Sequence, residues 1–276
     1  MVRLDRVIAT ALYCAVLCYA GAAALAATPV ARPIGAPVRA VLTVLAIGVV
    51  LHAAAIVGAT RVSGQLPLAG LGPALSFAAL ALATALLVVE YATREVTLTL
   101  VAAPLAALAT AAAAILGVGA SPSALPTGVR GAWLAAHIAL SFAGIAAFGT
   151  AAAAGSMYLV ERHQLRSRHF TSVFRLFPPL ETLDRVNHVG AIAAWLGLTA
   201  GVALAVSYSA TYGAADMPQI VWGVGAWIAA TALALGRLIG GWRARRAAVI
   251  ASVAFALILA SYVAARAMAA RPGQFL

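Results

Sequence analysis

The sequence lacks lysine altogether and has few charges of either sign. All 18 basic residues are arginine, only 7 residues are acidic, and charged residues make up 9% of the chain. Because an ordinary soluble domain is about a quarter charged, this scarcity excludes a typical soluble globular protein. Hydrophobic residues make up 64% of the chain and the mean hydropathy is +1.02. This composition indicates a protein that spans a membrane.

Cysteine is also scarce. Cys14 and Cys18 lie four residues apart in the first apolar run. With no histidine or aspartate close by, this spacing is a weak signal for a metal site. We interpret both cysteines as small hydrophobic residues.

The surplus of arginine gives a net charge of +11. A basic chain can bind nucleic acid, but these arginines lie at the ends of apolar runs, where they suit contact with lipid headgroups. We therefore expect membrane lipid as a partner and no nucleic acid.

The apolar runs are separated by proline, glycine and arginine, which predicts an all-α fold: a polytopic transmembrane helix bundle of about eight spans. We treat residues 1–276 as a single integral membrane domain. The first run has features of a secretory signal, but its length favours a helix that is retained. The predicted spans are approximately 7–27, 38–59, 69–93, 96–118, 131–160, 184–208, 219–240 and 246–269.

Arginine is distributed unequally between the two predicted faces. The face with both termini carries six arginines, and the opposite face carries twelve, five of them between residues 162 and 185. Because cytoplasmic loops are enriched in arginine, we expect both termini outside and the basic, aromatic loop 161–183 in the cytoplasm.

Two histidines lie within apolar runs, His52 in the second span and His137 in the fifth. With a rise of ~1.5 Å per residue, His52 lies about 20 Å from the cytoplasmic end of its helix, and His137 lies about 10 Å from the outer end. In a core ~30 Å thick these depths coincide. Two imidazoles at one depth could bind a haem iron from both sides. Each could instead hydrogen-bond a neighbouring helix, or serve a proton relay.

Residues 176–189, LFPPLETLDRVNHV, concentrate polar side chains between two apolar runs. The prolines and early acids predict a helix start. The i,i+4 spacing allows Glu181 to meet Arg185, and Asp184 to meet His188. Glu181, Asp184 and His188 share a face, so a metal site and a carboxylate that orients the histidine are both open.

Four stretches carry a resemblance to a known family: VVLHAAAI, WLAAHIALS, FPPLETLDRVNHVG and GAWIAATALALGRLIGGWRARR. Their order and spacing are similar to the CcsA/HemX-type cytochrome c assembly family over approximately residues 38–265, and most closely to its YpjD-like members. The proline-acid stretch and the arginine-rich turn together are fairly specific.

The resemblance implies a membrane haem-binding or haem-handling protein of cytochrome c biogenesis, in the bacterial inner membrane and not an enzyme. It implies haem as the candidate cofactor, with His52 and His137 as candidate axial ligands of its iron and His188 as a further haem-binding candidate. A cytochrome c assembly protein or a haem-synthesis protein is the expected partner.

Two alternative functions stay open. Haem-presenting members carry a tryptophan-rich external segment, whereas the five tryptophans here are dispersed. This difference favours the HemX-like members, which are associated with control of the level of glutamyl-tRNA reductase, acting here through loop 161–183. The other alternative is a small-solute or proton-coupled transporter, although no mid-membrane acid is evident.

Overall fold

The computed structural model describes residues 2–31, 37–64, 66–67, 71–118, 128–168, 177–213 and 217–268. All regular structure in these ranges is helical. Eight of the described helices are long and apolar enough to cross a membrane, which confirms the predicted all-α fold of about eight spans. The chain is a multi-pass membrane protein.

The described helices follow one another along the chain without an intervening strand in the ranges given above. They are α1 (Val2–Ala26), α2 (Thr28–Ala31), α3 (Val38–Ser63), α4 (Leu71–Thr93), α5 (Thr99–Leu116), α6 (Gly128–Ser167), α7 (Leu180–Tyr212), α8 (Met217–Leu238) and α9 (Ala244–Met268). The short α2 lies in a linker where the sequence predicts no helix.

The helices divide into two compact units, α1 to α5 and α6 to α9. In the first unit, α1 packs against α3 and α5, and α4 packs against α5. In the second unit, α6 packs against α7 and α9, and α8 packs against α7 and α9. Alanine dominates the buried positions of both units. These small side chains bring helix backbones close together, as is usual between membrane helices.

Most helix ends lie within a few residues of the predicted spans, and the largest difference is at the end of α6, which extends into the predicted loop 161–183. Helix α6 continues to Ser167 because no proline or glycine lies between residues 156 and 167, and α7 begins at Leu180. Residues 169–176 of the loop, and the predicted span positions 69, 70 and 269, lie outside the described residues.

The start of α7 shows why the proline pair is there. Pro179 directly precedes the first helical residue, and its carbonyl accepts hydrogen bonds from the N–H groups of Thr182 and Leu183. Arg185 lies 3.5 Å from Glu181, which confirms the predicted i,i+4 pair. Proline therefore sets the helix start, and the exposed ion pair adds little stability.

A buried carboxylate joins α4 to α5. Glu90 is 1% exposed, and it accepts hydrogen bonds from both the backbone N–H, at 2.6 Å, and the hydroxyl of Thr99. The nearby Arg94 is engaged elsewhere, since its guanidinium lies 4.7 Å from the Tyr91 ring centroid. A carboxylate at this position satisfies N–H groups at the start of α5 and complements the helix dipole.

Two glycines set the closest approach of α6 and α7. A Cβ atom added at Gly197 would lie 2.9 Å from the Cα atom of Gly144, and one added at Gly144 would lie 2.8 Å from the backbone nitrogen of Leu198. The two helices therefore touch through their backbones here, and neither glycine can carry a side chain without a shift of the helices.

We expect Gly197→Ala to lower the free energy of unfolding by about 1–3 kcal/mol, because the added methyl group overpacks the α6–α7 contact. Gly225→Ala is the matched control, since a Cβ atom at Gly225 meets nothing within 4 Å. Titration of the detergent-solubilised protein with a denaturing detergent, followed by circular dichroism, measures both. Equal stability of the two variants would contradict the packing described.

Candidate functional site

The three histidines predicted to bind haem lie on three different helices. His52 is on α3 in the first unit, whereas His137 on α6 and His188 on α7 belong to the second. Each has a different set of hydrogen-bond partners, and these partners decide which ring nitrogen has a free lone pair. Because a metal binds an unprotonated ring nitrogen, the partners also decide which histidine fits an iron atom.

His137 is half-buried and is held by the facing helix. Its Nδ1 atom lies 2.8 Å from the carbonyl oxygen of Gly201 on α7. A carbonyl oxygen only accepts, so Nδ1 carries the proton and the lone pair is on Nε2. Among the described residues, no hydrogen-bond partner of Nε2 is found. A carbonyl that fixes the tautomer while the other nitrogen stays free is the usual arrangement behind a metal-binding histidine.

Arg130 and an aromatic group lie on the same face of the second unit. Arg130, Trp133 and His137 are spaced i, i+3 and i+7 along α6, which places them on one helix face. The Arg130 Nε atom donates to the Tyr208 hydroxyl at 2.8 Å, and its guanidinium lies 5.0 Å from the ring centroid of Tyr212. The beginning of α6 and the end of α7 thus form a cationic, aromatic cluster one to two turns from His137.

Trp133 leaves a donor without a partner in this cluster. Its ring packs edge-on against Tyr212, with the two centroids 6.1 Å apart. Its Nε1 atom is buried and has no hydrogen-bond partner among the described residues. An unsatisfied buried donor costs about 1–3 kcal/mol, so this N–H group is suited to an acceptor supplied by a ligand.

His52 differs, because both of its ring nitrogens are occupied. It is fully buried, with Nδ1 at 3.2 Å from the Tyr19 hydroxyl and Nε2 at 2.8 Å from the Ser76 hydroxyl. The Tyr19 ring lies against Gly48, where a Cβ atom would be 2.8 Å from the ring. His52 therefore links α1, α3 and α4. His52 can bind an iron atom only if the hydrogen bond between one of its ring nitrogens and a hydroxyl is broken.

His188 is also engaged through its lone pair. The Arg237 Nε atom on α8 donates to His188 Nδ1 at 3.2 Å, so the proton of the neutral ring is on Nε2. Asp184, which the spacing pairs with His188, instead binds Arg237, with its carboxylate oxygen 2.8 Å from the guanidinium. His188 in this arrangement is a hydrogen-bond donor and not a metal ligand.

The second unit does not bring His137 and His188 together. His137 contacts Gly201, which is 13 residues after His188 on α7, a separation of about 20 Å along the helix axis. The described residues also contain no cluster of three or more histidine, cysteine, aspartate or glutamate side chains that could hold a metal ion. The alternative metal site at Glu181, Asp184 and His188 is therefore wrong.

The comparison with protein families supplies the identification. The model of the family described as Cytochrome C assembly protein matches residues 68–270, most of the chain. The chain belongs to the cytochrome c assembly protein family. The comparison with the curated proteins finds no match. Membership of the cytochrome c assembly family supports a role in cytochrome c biogenesis.

The candidate histidines differ in whether they lie within the residues that the family model matches. The matched residues 68–270 include His137 and His188. They also include the cluster of Arg130, Trp133, Tyr208 and Tyr212 and the arginine-rich turn after α8. His52 lies before them. The half-buried His137 therefore lies in the part of the chain that the family model matches, and the buried His52 lies outside it.

We expect His52→Ala to lower the free energy of unfolding by about 1–3 kcal/mol, because the substitution leaves two buried hydroxyls, of Tyr19 and Ser76, without their partner. Thr84→Ala on α4 is the control, since the Thr84 hydroxyl is exposed and bonds only within its own helix. Thermal unfolding in detergent, followed by circular dichroism, compares the variants. A loss no larger than that of the control would show that His52 does not hold α1, α3 and α4 together.

Proposed function

We propose that this member of the cytochrome c assembly family is a non-enzymatic membrane protein that binds and handles haem, with His137 as an axial ligand of the iron. The observation that supports it most is the hydrogen bond from Nδ1 of His137 to the Gly201 carbonyl, which leaves the lone pair of Nε2 free. In this proposal haem is cargo that the protein holds and passes on.

The surroundings of His137 suit the rest of a haem molecule. Haem is a flat apolar ring with two carboxylates at one edge, so its site needs aromatic or aliphatic walls and a cation near that edge. Trp133 and Tyr212 are the aromatic groups, and Arg130 is the cation. The free Nε1–H group of Trp133 is a second donor for a carboxylate.

The second axial ligand is a separate question. His52 stays a prediction for this role, with one condition that the structure adds: its Nε2 atom must exchange the Ser76 hydroxyl for iron. His188 is a weaker candidate, because Arg237 occupies its lone pair. A haem bound through His137 alone keeps one side of the iron open, which suits a protein that receives haem and releases it.

We further propose that the protein lies in the bacterial inner membrane with both termini outside. The support is the arginine distribution, in which twelve of the 18 arginines lie on the face opposite the termini. With this orientation, the cluster of Arg130, Trp133, Tyr208 and Tyr212 is at the outer face. A haem carboxylate edge held there would be accessible to a partner at the outer face.

We expect His137→Gly to abolish most of the Soret absorbance that the purified wild-type protein gains on haem addition. Added imidazole should restore the band, because it can bind iron in the space that the side chain leaves. Difference absorption spectra in detergent measure both effects. A histidine that only supports the fold would not be replaced by free imidazole.

His188→Gly is the matched control, since it removes a half-buried histidine of the same unit whose lone pair is already used. Its Soret band should be retained. An unchanged band in His137→Gly would overturn the proposed ligand. In the same assay, His52→Ala decides the second ligand: a change from a six-coordinate to a five-coordinate spectrum identifies His52, and an unchanged spectrum excludes it.

We expect Arg130→Gln to weaken haem binding about tenfold, because a charge-assisted hydrogen bond to a carboxylate is lost. The measurement is repeated with haem dimethyl ester, which has no free carboxylate. With the ester, wild-type and Arg130→Gln proteins should bind equally.

Arg245→Gln is the control for the loss of one positive charge, since Arg245 is an exposed arginine on α9. It should leave the affinity for haem unchanged. An equal loss of affinity for haem and for its ester in Arg130→Gln would contradict a carboxylate contact, because the substitution would then act through the aromatic cluster alone.

A further inference from the structure

An open cavity with several charged lining residues lies at the end of the second unit where α7 begins, α8 ends and α9 begins. Its volume is about 590 Å³, and its lining includes Asp184, Arg185, His188, Arg237 and Arg243. The proposed haem site is at the other end of α7, since the Gly201 carbonyl is about 20 Å along the helix axis from His188. The cavity is thus a separate site that the haem proposal does not use.

The acidic side chains of the cavity are already paired with arginine. The Asp184 carboxylate lies 2.8 Å from the guanidinium of Arg237, whose side chain is only 8% exposed. The carboxylate of Glu181 lies 3.5 Å from Arg185. Both negative charges are thus compensated within the wall, and they leave no acid for a cation to bind.

The positive charge of the wall is not compensated in the same way. Arg243 is exposed, and its side chain has no ion-pair partner in the part of the chain that the structure describes. His188 accepts from Arg237 through Nδ1, so its Nε2 atom carries a proton. The lining therefore includes a guanidinium and a ring N–H group that have no partner among the described residues, and such donors suit an anion with several oxygen atoms.

The turn between α8 and α9 holds this wall in a fixed shape. Trp242 lies so close to α8 that a Cβ atom at Gly236 would be 2.4 Å from its ring. The Trp242 N–H group of the backbone donates to the Gly236 carbonyl, and the Arg246 guanidinium lies 4.4 Å from the indole centroid. Arg243 therefore lies on a turn that packs against α8.

The location indicates where the anion would come from. The apolar spans of α8 and α9 end at Leu238 and begin at Ala244, so the cavity lies at the boundary between hydrocarbon and water. Phospholipid headgroups occupy this boundary, and tryptophan is enriched there. Basic pockets between membrane helices at this level suit anionic headgroups.

We propose that this cavity binds a phosphate group through Arg243 and the Nε2–H group of His188, with an anionic phospholipid headgroup as its source at the membrane surface. The Asp184–Arg237 ion pair holds the histidine in the donor tautomer and so acts as a positioning pair. The proposal is independent of haem, since none of these residues is required by the His137 site.

The test measures lipid binding to the full chain in detergent by native mass spectrometry, with phosphatidylglycerol and phosphatidylcholine as probes. The wild-type protein should retain phosphatidylglycerol in preference. Arg243→Gln should lower its affinity about fivefold, the effect of one arginine near an anionic surface. His188→Ala should lower it by about two- to tenfold, since one hydrogen bond is lost.

Arg245→Gln is the matched control, because Arg245 is exposed two residues after Arg243, in the first turn of α9, and is not among the residues that line the cavity. It should keep the wild-type affinity. Inorganic phosphate in the same assay separates the two sources of the anion: no displacement of the lipid supports a headgroup, and displacement that depends on Arg243 supports a free phosphate group at the same site. Equal losses in Arg243→Gln and Arg245→Gln, or equal retention of phosphatidylcholine, would overturn the proposal.

Discussion

Hydrocarbon offers no hydrogen bonds, so every polar group within a membrane span needs a partner from the protein. Several buried polar groups of this chain meet that need through contacts with a neighbouring helix. His52 contacts two hydroxyls, Glu90 accepts from Thr99, and the Asn187 amide donates to the Ala151 carbonyl at 2.8 Å. Each of these contacts joins two different helices. Polar side chains in this protein thus link neighbouring helices, whose contact surfaces otherwise consist mainly of alanine and glycine.

Two atoms on one face of α6 depart from this pattern. Nε2 of His137 and Nε1 of Trp133 have no hydrogen-bond partner among the described residues, although their neighbours are tightly packed. A ring nitrogen without a partner is more informative than the presence of a histidine in a span, because His52 shows that such a histidine can serve packing alone. The choice of His137 over His52 follows from this comparison of partners, and the family match over residues 68–270 is consistent with it.

The hydropathy of the sequence was enough to predict the eight spans, because apolar length and proline or arginine boundaries decide whether a helix can cross a bilayer. The depths of His52 and His137 stay a prediction. Depth does not determine which way a side chain faces, so Tyr19 and Ser76 around His52 could not be predicted. The partner of His137 is a backbone carbonyl, which has no sequence signature. The spacing of Arg130, Trp133 and His137 was visible in the sequence, and it places the three side chains on one helix face. The depth of His137 alone does not indicate these neighbours.

The bond between Glu90 and Thr99 has a consequence for how the chain enters the membrane. The carboxylate is buried on α4, and within the described residues its oxygens accept hydrogen bonds only from Thr99, in the first turn of α5. If α4 inserted alone, this carboxylate would reach the bilayer without a partner, at a cost of several kcal/mol. With α5 already folded against it, the cost is offset. The two helices are thus expected to leave the translocation machinery together, as a hairpin. The side chain of Glu90 alone is enough to require this order of insertion.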